Sequence, residues 1–424
     1  MTSEQATGTY PNEGEPSKVQ HRRRGDGERG QVLVIVAVGM VALVAMVGVV
    51  VDGGYAWGKQ RDTQNAADAS AKAGAVKLAE NLAGKSPANV DADVLSAVAD
   101  TAAGNVVGLP AAYYTTMAGT LLTPAGAPAT GTGDAARVGG GVIPPGAAGV
   151  RAVTDQTFDT FLARVIGFNQ LTTSADATAV AGYLASCEAS AGCIVLPVTV
   201  PVTVLACDSQ NNPAPVTNSG GDKILWTSPS NPLTIPLCKN GPGNVGWLDW
   251  SPPAGGTSEL VQAILTPSNI YLKWPGWYFI TSTGNVNSKS VEDAINTYAG
   301  DPVLIPQFDL TCDATPTGPG VLDCPVGHVG GNGQNQWYHL AGMSTFQLCS
   351  SNPAKGMPEC DVPGPKNFTK GAYINGNDNA TCDTGNGATS CLAGKFVEIV
   401  YEGELQAAPG VNGASSVVGI QLIE

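Results

Sequence analysis

The sequence predicts an α+β protein held in a membrane by an N-terminal helix, which continues outside it onto a small sheet and is followed by a β-rich, disulfide-stapled region. Three observations predict this. Val32 to Val51 (VLVIVAVGMVALVAMVGVVV) is twenty residues without a charge, the length that crosses a hydrocarbon core of about 30 Å. Gln60 to Gly84 contains no proline and is rich in alanine, the best helix former. All ten cysteines lie after residue 186, where β-branched runs, tryptophans and turn residues also gather.

The apolar span follows Arg22, Arg23, Arg24 and Arg29. The positive-inside bias therefore predicts a cytoplasmic N-terminus and an extracytoplasmic bulk after Asp52. A cleaved signal peptide has a core of about 7 to 15 residues and a small-residue cleavage site. Here the core is longer and Asp52-Gly53-Gly54-Tyr55 follows it. A twin-arginine export signal fits no better, because His21 to Gly30 offers no apolar residue after the arginines. The expectation is a single-pass membrane protein that keeps its anchor.

Past the bilayer the helical pattern continues to Gly84, a C-cap candidate. Ala67, Ala71, Ala75, Ala79 and Ala83 recur every fourth residue and line one face, with Ala66, Ser70 and Gly74 beside them. Such a face lets another backbone come close, and it is the expected packing face.

Several blocks together carry a family resemblance: Glu28-Arg29-Gly30-Gln31, Val51-Asp52-Gly53-Gly54, Arg61, Gln64-Asn65-Ala66-Ala67-Asp68-Ala69 and Ala73-Gly74-Ala75. They resemble the N-terminal signature of TadE/TadG-like proteins of tight-adherence (Flp) pilus assembly. The resemblance covers about fifty residues and weakens through Val180. It implies a bitopic membrane protein of a type IV-related pilus system with a structural or assembly role and no catalysis. It also implies pilus-assembly or pilin-like partners, with self-association left open. Processed prepilins typically carry a glutamate five residues after the cleavage glycine; counted from Gly30 that position is Ile35, which favours an unprocessed TadG-like anchor.

The formal charge is -14. Residues 1 to 51 hold five basic and five acidic side chains, leaving 16 basic and 30 acidic beyond them. An acidic ectodomain argues against nucleic acid as a partner, and leaves the juxtamembrane arginines as the contact with anionic lipid. Ten cysteines confined to the exported part fit an oxidising compartment. Connectivity cannot be read from sequence, but spacing suggests neighbours: Cys187 with Cys193, Cys207 with Cys238, Cys312 with Cys324, Cys349 with Cys360, and Cys382 with Cys391.

Along the chain, the expected organisation is a disordered cytoplasmic tail at 1–28, the two-part helix at 29–84, a pilin-like α+β region at 85–183 and a Cys-rich, β-rich ectodomain at 184–424. Ser86-Pro87 predicts a helix start, and Val90, Val94, Val98, Ala102 and Val106 carry its apolar face to Gly108. Strands are expected near 113–122 and 150–154, with a Gly/Pro/Ala-rich loop between. Phe158, Phe161, Leu162, Val165 and Ile166 predict an inserted helix over 157–166. Thr173, Ala175, Ala177, Ala179 and Ala181 then alternate as a strand whose alanine row is suited to the alanine column. In the run from Cys193 to Cys207, Pro197 and Pro201 predict an edge strand and exclude a central one. Residues 291–298 read as a short helix, and 302–308, 337–348 and 395–405 as further elements.

Catalytic and metal constellations are weak. Ser344 lacks the second glycine of a nucleophile elbow, and His328 and His339 are the only histidines outside the tail that a triad would have at its disposal. Cys324, His328 and His339 match no standard zinc spacing. Asp378 and Asp383 lie in a glycine-containing loop without EF-hand spacing. Glu398, Glu402 and Glu404 share one face of an expected strand, a pattern that keeps a strand soluble. The segment Asp68-Ala69-Ser70-Ala71-Lys72 departs from a DxSxS metal motif at its last position. Trp226, Trp247, Trp250, Trp274, Trp277 and Trp337 read mainly as core, with 274–278 a candidate sugar- or protein-binding stretch. No cofactor and no enzymatic activity are expected. The alternative is a membrane-tethered extracytoplasmic hydrolase or glycan-binding protein.

Overall fold

A computed structural model gives the fold. It describes residues 27–85, 87–187, 193–203, 205–207, 213–215, 217, 219–220, 233–237, 246–247, 256–266, 272–280, 288–330, 336–349, 373–374, 390–397, 399–406 and 417–423. The chain divides into two compact units, one of residues 1–58 with 158–171 and the other of residues 59–157 with 172–424.

Helix α1 runs over Gly27–Leu82. In the larger unit it is followed by α2 (Asp91–Gly104), β1 (Gly108–Thr115), β2 (Gly149–Asp159) and β3 (Gln170–Cys187). Helix α2 starts four residues later than the Ser86-Pro87 signal predicts. The reason is local: Asn89 is tied to α1 by Nδ2 donating to the Lys77 carbonyl (2.9 Å) and by its N–H donating to Asn81 Oδ1 (2.6 Å), so the link stays non-helical. Asp93 Oδ2 then accepts from the Val90 N–H at 2.8 Å and caps the first turn. At its other end the helix stops before Val106, which takes a positive φ of 58°.

Strands β1, β2 and β3 form an antiparallel meander. After β3 the chain builds a second, eight-stranded sheet. Its strands are β4 (Val198–Pro201), β7 (Leu233–Leu237), β8 (Gly246–Trp247), β10 (Gly276–Ile280), β11 (Pro302–Cys312), β12 (Gln336–Leu348), β13 (Tyr373–Ile374) and β14 (Ser390–Phe396). Between them lie the separate pair β5 (Leu205–Cys207) and β6 (Pro213–Pro215), helix α3 (Thr257–Leu265), strand β9 (Leu272–Lys273) and helix α4 (Lys289–Asn296). The chain then returns to the first sheet with β15 (Val400–Glu402), β16 (Glu404–Gln406) and β17 (Val418–Ile423). Strand β17 pairs antiparallel with β3 from Val418↔Tyr183 to Ile423↔Thr178, and β15 pairs parallel with β17.

Each sheet buries its own core. On the first sheet, Ala67, Ala71, Ala75 and Ala79 of α1 and Val94 and Val98 of α2 pack with Ala112, Tyr114, Val150, Ala177, Ala179, Val418 and Ile420. On the second, Leu260 and Ile264 of α3 and Val291 and Ile295 of α4 cover Val198, Val303, Ile305 and Phe346. A third cluster joins Leu184 and Tyr401 of the first sheet to Val195, Leu304, Phe308 and Tyr338 around the second.

Three sequence expectations are corrected. Residues 157–166 are not a helix: β2 extends to Asp159, and a single 3-10 turn over Ala163–Ile166 remains, inside the turn that joins β2 to β3. Strand β4 is not at an edge: it lies between β11 and β8. The proline argument fails there because β8 pairs only Val198 and Thr199, both of which have an N–H, while Pro197 precedes the strand. Finally, the element expected at 395–405 is split between the end of β14, β15 and β16.

Candidate membrane anchor and helix-packing face

In the smaller unit, the side chains of the apolar span are exposed from Val32 to Val51 except at Gly48. Among the described residues this helix is the one long and apolar enough to cross a membrane. Gly48 and Asp52 are buried by the turn between β2 and β3. A Cβ at Gly48 would stand 3.2 Å from Leu162 Cβ, so the absence of a side chain there sets the approach. One turn further, Asp52 receives the backbone N–H groups of Phe161 (2.7 Å), Leu162 (3.0 Å) and Ala163 (2.5 Å). Burial opposes ionisation of Asp52, but these donors, with the Arg164 guanidinium behind them, outweigh it and hold the carboxyl below its ordinary range. Tyr55 packs edge-on against Phe158 and Phe161, each at 5.2 Å.

The turn itself has little unpaired backbone. Thr160 N–H donates to the Asn169 carbonyl, Val165 to Leu162, Gly167 to Arg164 and Phe168 to Ala163. The Thr160 hydroxyl donates to the Phe168 carbonyl and Arg164 Nε to the Thr160 carbonyl. Sequence reading missed Asp52 as an anchor point. Its signal is faint: an acidic residue directly after an apolar span reads as a simple flanking charge.

In the larger unit, Ala66, Ala67, Ser70, Ala71, Ala75 and Ala79 are fully buried, and Ala83 is half-buried at the margin of the same core. Ala175, Ala177, Ala179 and Ala181 of β3 share that core. Thr63 hydrogen-bonds Thr173 side chain to side chain at 2.9 Å, and Thr154 Oγ1 donates to the Thr63 carbonyl at 3.0 Å. Lys72 reaches Glu402 at 2.8 Å. Of the described glycines of α1, Gly74 is the most tightly packed: a Cβ there would lie 2.8 Å from Val98 Cγ2 and 2.9 Å from Val150 Cγ2.

Two polar centres hold α2 in place. Asp91 is buried and accepts from Tyr114 Oη (2.7 Å), Gly139 N (3.0 Å) and Gly141 N (2.6 Å). Burial, reinforced by the Asp91 carboxylate, pushes the Tyr114 phenol up. At the helix junction, Glu80 binds Lys85 (2.5 Å), Asn89 (2.8 Å) and Lys77 (3.2 Å). Burial opposes its charge, yet these three partners hold its carboxyl down to about 2.

The candidate chemical sites come apart. His339 is buried with Nδ1 2.6 Å from Asp309 and Nε2 3.1 Å from the Pro319 carbonyl, and Trp277 packs on its ring at 5.0 Å. Neither nitrogen is left for Ser344, whose hydroxyl is buried without a hydrogen-bond partner. Cys324 is bonded to Cys312 (Cα–Cα 5.9 Å), and the exposed His328 pairs with Asp313 at 2.7 Å, so the zinc grouping is not assembled. No cluster of metal-ligating side chains occurs among the described residues. Cys193, Cys349 and Cys391 are likewise disulfide-bonded. Glu402 pairs with Lys72, and Glu404 accepts from Ser186 Oγ at 2.9 Å. Of the tryptophans, Trp274 is buried, while Trp277 and Trp337 are half-buried. Arg22, Arg23, Arg24, Asp378, Asp383, Glu398, Trp226, Trp250, Cys238, Cys360 and Cys382, with the side chains of Arg29, Cys187, Cys207 and Trp247, lie outside the described residues.

Residues 30–77 match the family model described as "Putative Flp pilus-assembly TadE/G-like". The chain thus carries a TadE/TadG-like signature, and the matched stretch holds both the candidate membrane span and most of the buried alanine face. Curated proteins and solved structures yield no match to it.

Proposed function

We propose that this chain is a single-pass, TadG-like structural component of a Tad (Flp, type IV-related) pilus or related surface apparatus. Its N-terminus faces the cytoplasm and its acidic bulk lies outside, with no catalysis of its own. The observation that carries the reading is the coincidence of the family match at 30–77 with a helix whose first part is apolar and exposed and whose later part is small-residued and buried. The first part suits a bilayer, and the second suits rigid attachment of a folded region. A tail at 1–28, a helix at 29–84, a pilin-like region at 85–183 and an ectodomain from 184 describe the division of labour. Its contacts are with pilus-assembly or pilin-like proteins and with the membrane.

Deletion of the gene tests this directly, with surface pili counted by electron microscopy and restored by a wild-type copy. Loss of pili, and no rescue by a copy lacking 32–51, are expected. Normal piliation in the deletion strain would overturn the assignment.

A further inference from the structure

We propose that the turn between β2 and β3, residues 160–168, is a second membrane contact, seated among the acyl chains of the leaflet on the Asp52 side. The inference rests on the reading of 32–51 as the membrane span. Phe161 (56%), Val165 (76%) and Phe168 (61%) are large apolar side chains left exposed at the tip. The tip lies alongside the span: Leu162 covers Gly48, and Val165 borders a cleft of about 300 Å³ shared with Met40, Val41 and Val44. Val41 stands about 15 Å along the helix from Val51, near the middle of a core about 30 Å thick. A helix placed across a bilayer therefore carries this turn below the surface.

Irregular backbone is tolerated at that depth only when its polar groups are already satisfied. Here Asp52 takes three consecutive N–H groups and the turn pairs Thr160, Val165, Gly167 and Phe168 internally. Arg164 Nε is bonded to the Thr160 carbonyl at 2.7 Å, and a long arginine stem can carry its charge to headgroup level. Acyl chains are the occupant that fits. Asp52 is the single charged residue lining the cleft, and its oxygens are already taken by the turn. Nothing polar is left to fix the register of a protein partner.

A photo-crosslinking amino acid, benzoylphenylalanine, placed singly at Val41, Val165 or Phe168 of the full chain in its own membrane tests the inference. Adducts of phospholipid mass are expected at all three positions, and none at Asn65 on the exported helix. Lipid adducts at Val41 with none at Val165 and Phe168 would overturn the inference and leave the anchor standing. Adducts of protein mass at Val165 would also overturn it, by assigning the cleft to a partner helix. Absence of lipid adducts at Val41 would remove the anchor and the inference together.

Discussion

Gly74 of α1 stands against Val98 of α2 so closely that a methyl group at Gly74 would lie 2.8 Å from Val98 Cγ2. Two effects compete there. Alanine is the better helix former by about 1 kcal/mol, but overpacking typically costs about 1 to 3 kcal/mol. Val98 and Val150 are both fully buried, so making way for a methyl group would disturb the core around them. Gly74→Ala is therefore expected to destabilise, and Ala75→Leu, in the same core, to do so more strongly. Asn65→Leu on the exposed side is the control. Thermal melts of the detergent-purified protein compare them, and equal midpoints would mean the small residues serve helix formation alone.

Asp91 ties α2 to β1 and to the loop at 139–141. Removing its carboxylate leaves the buried Tyr114 phenol without its acceptor, a cost of about 1 to 3 kcal/mol, whereas the N–H groups of the exposed Gly139 and Gly141 can turn to water. Asp91→Ala should lower stability by about 1 to 3 kcal/mol in urea unfolding. Asp91→Asn keeps the shape and one acceptor, so its loss should be smaller.

Glu80 links acidity to stability. Its carboxyl is held at about 2 in the fold against an ordinary value of 4.5. A depressed folded-state value means that the contribution is fully present above about 4.5 and is lost as pH falls towards 2. Glu80 is partly reached by solvent, so screening limits the effect to about 1 to 2 kcal/mol. Wild type and Glu80→Gln should differ most at neutral pH and converge near pH 2. A difference that stays constant with pH would assign Glu80 a packing role only.

The bridge between Cys312 and Cys324 closes a loop of sequence separation 12 between β11 and its following turn. Constraining a loop of that size contributes about 3 kcal/mol through the unfolded state. Peptide mapping without reduction should recover this pair, and the Cys312→Ser/Cys324→Ser variant should melt earlier. Recovery of Cys312 joined to any other cysteine would contradict the fold around β11.

Legibility from sequence follows the range of the interaction. The apolar span and the alanine periodicity are local patterns, and both lead to α1; the alternation from Thr173 to Ala181 leads equally to β3. The reading fails where the partner is remote. Phe158, Phe161, Leu162 and Val165 have helical spacing, yet Asp52, 109 to 111 residues earlier, takes the N–H groups that open the 3-10 turn. Pro197 and Pro201 suggest an edge because proline lacks a donor, but β8 pairs only Val198 and Thr199, and the donors to β11 come from Leu196 and Val202. His339 looked like a catalytic or metal candidate because histidines are scarce in this chain. Its burial between Asp309, Pro319 and Trp277 depends on a sheet register that no single segment encodes.

The pairing of Ala181 with Ile420 has a consequence for how the chain is made. Synthesis runs from the N-terminus, so β3 exists long before β17 does, and its outer edge must wait while the whole second sheet is produced. An open strand edge is a template for any extended segment that arrives first, including β17 of a neighbouring chain. Crowded nascent copies are thus at risk of exchanging their last strands, and the order of emergence bears on whether each copy closes on itself.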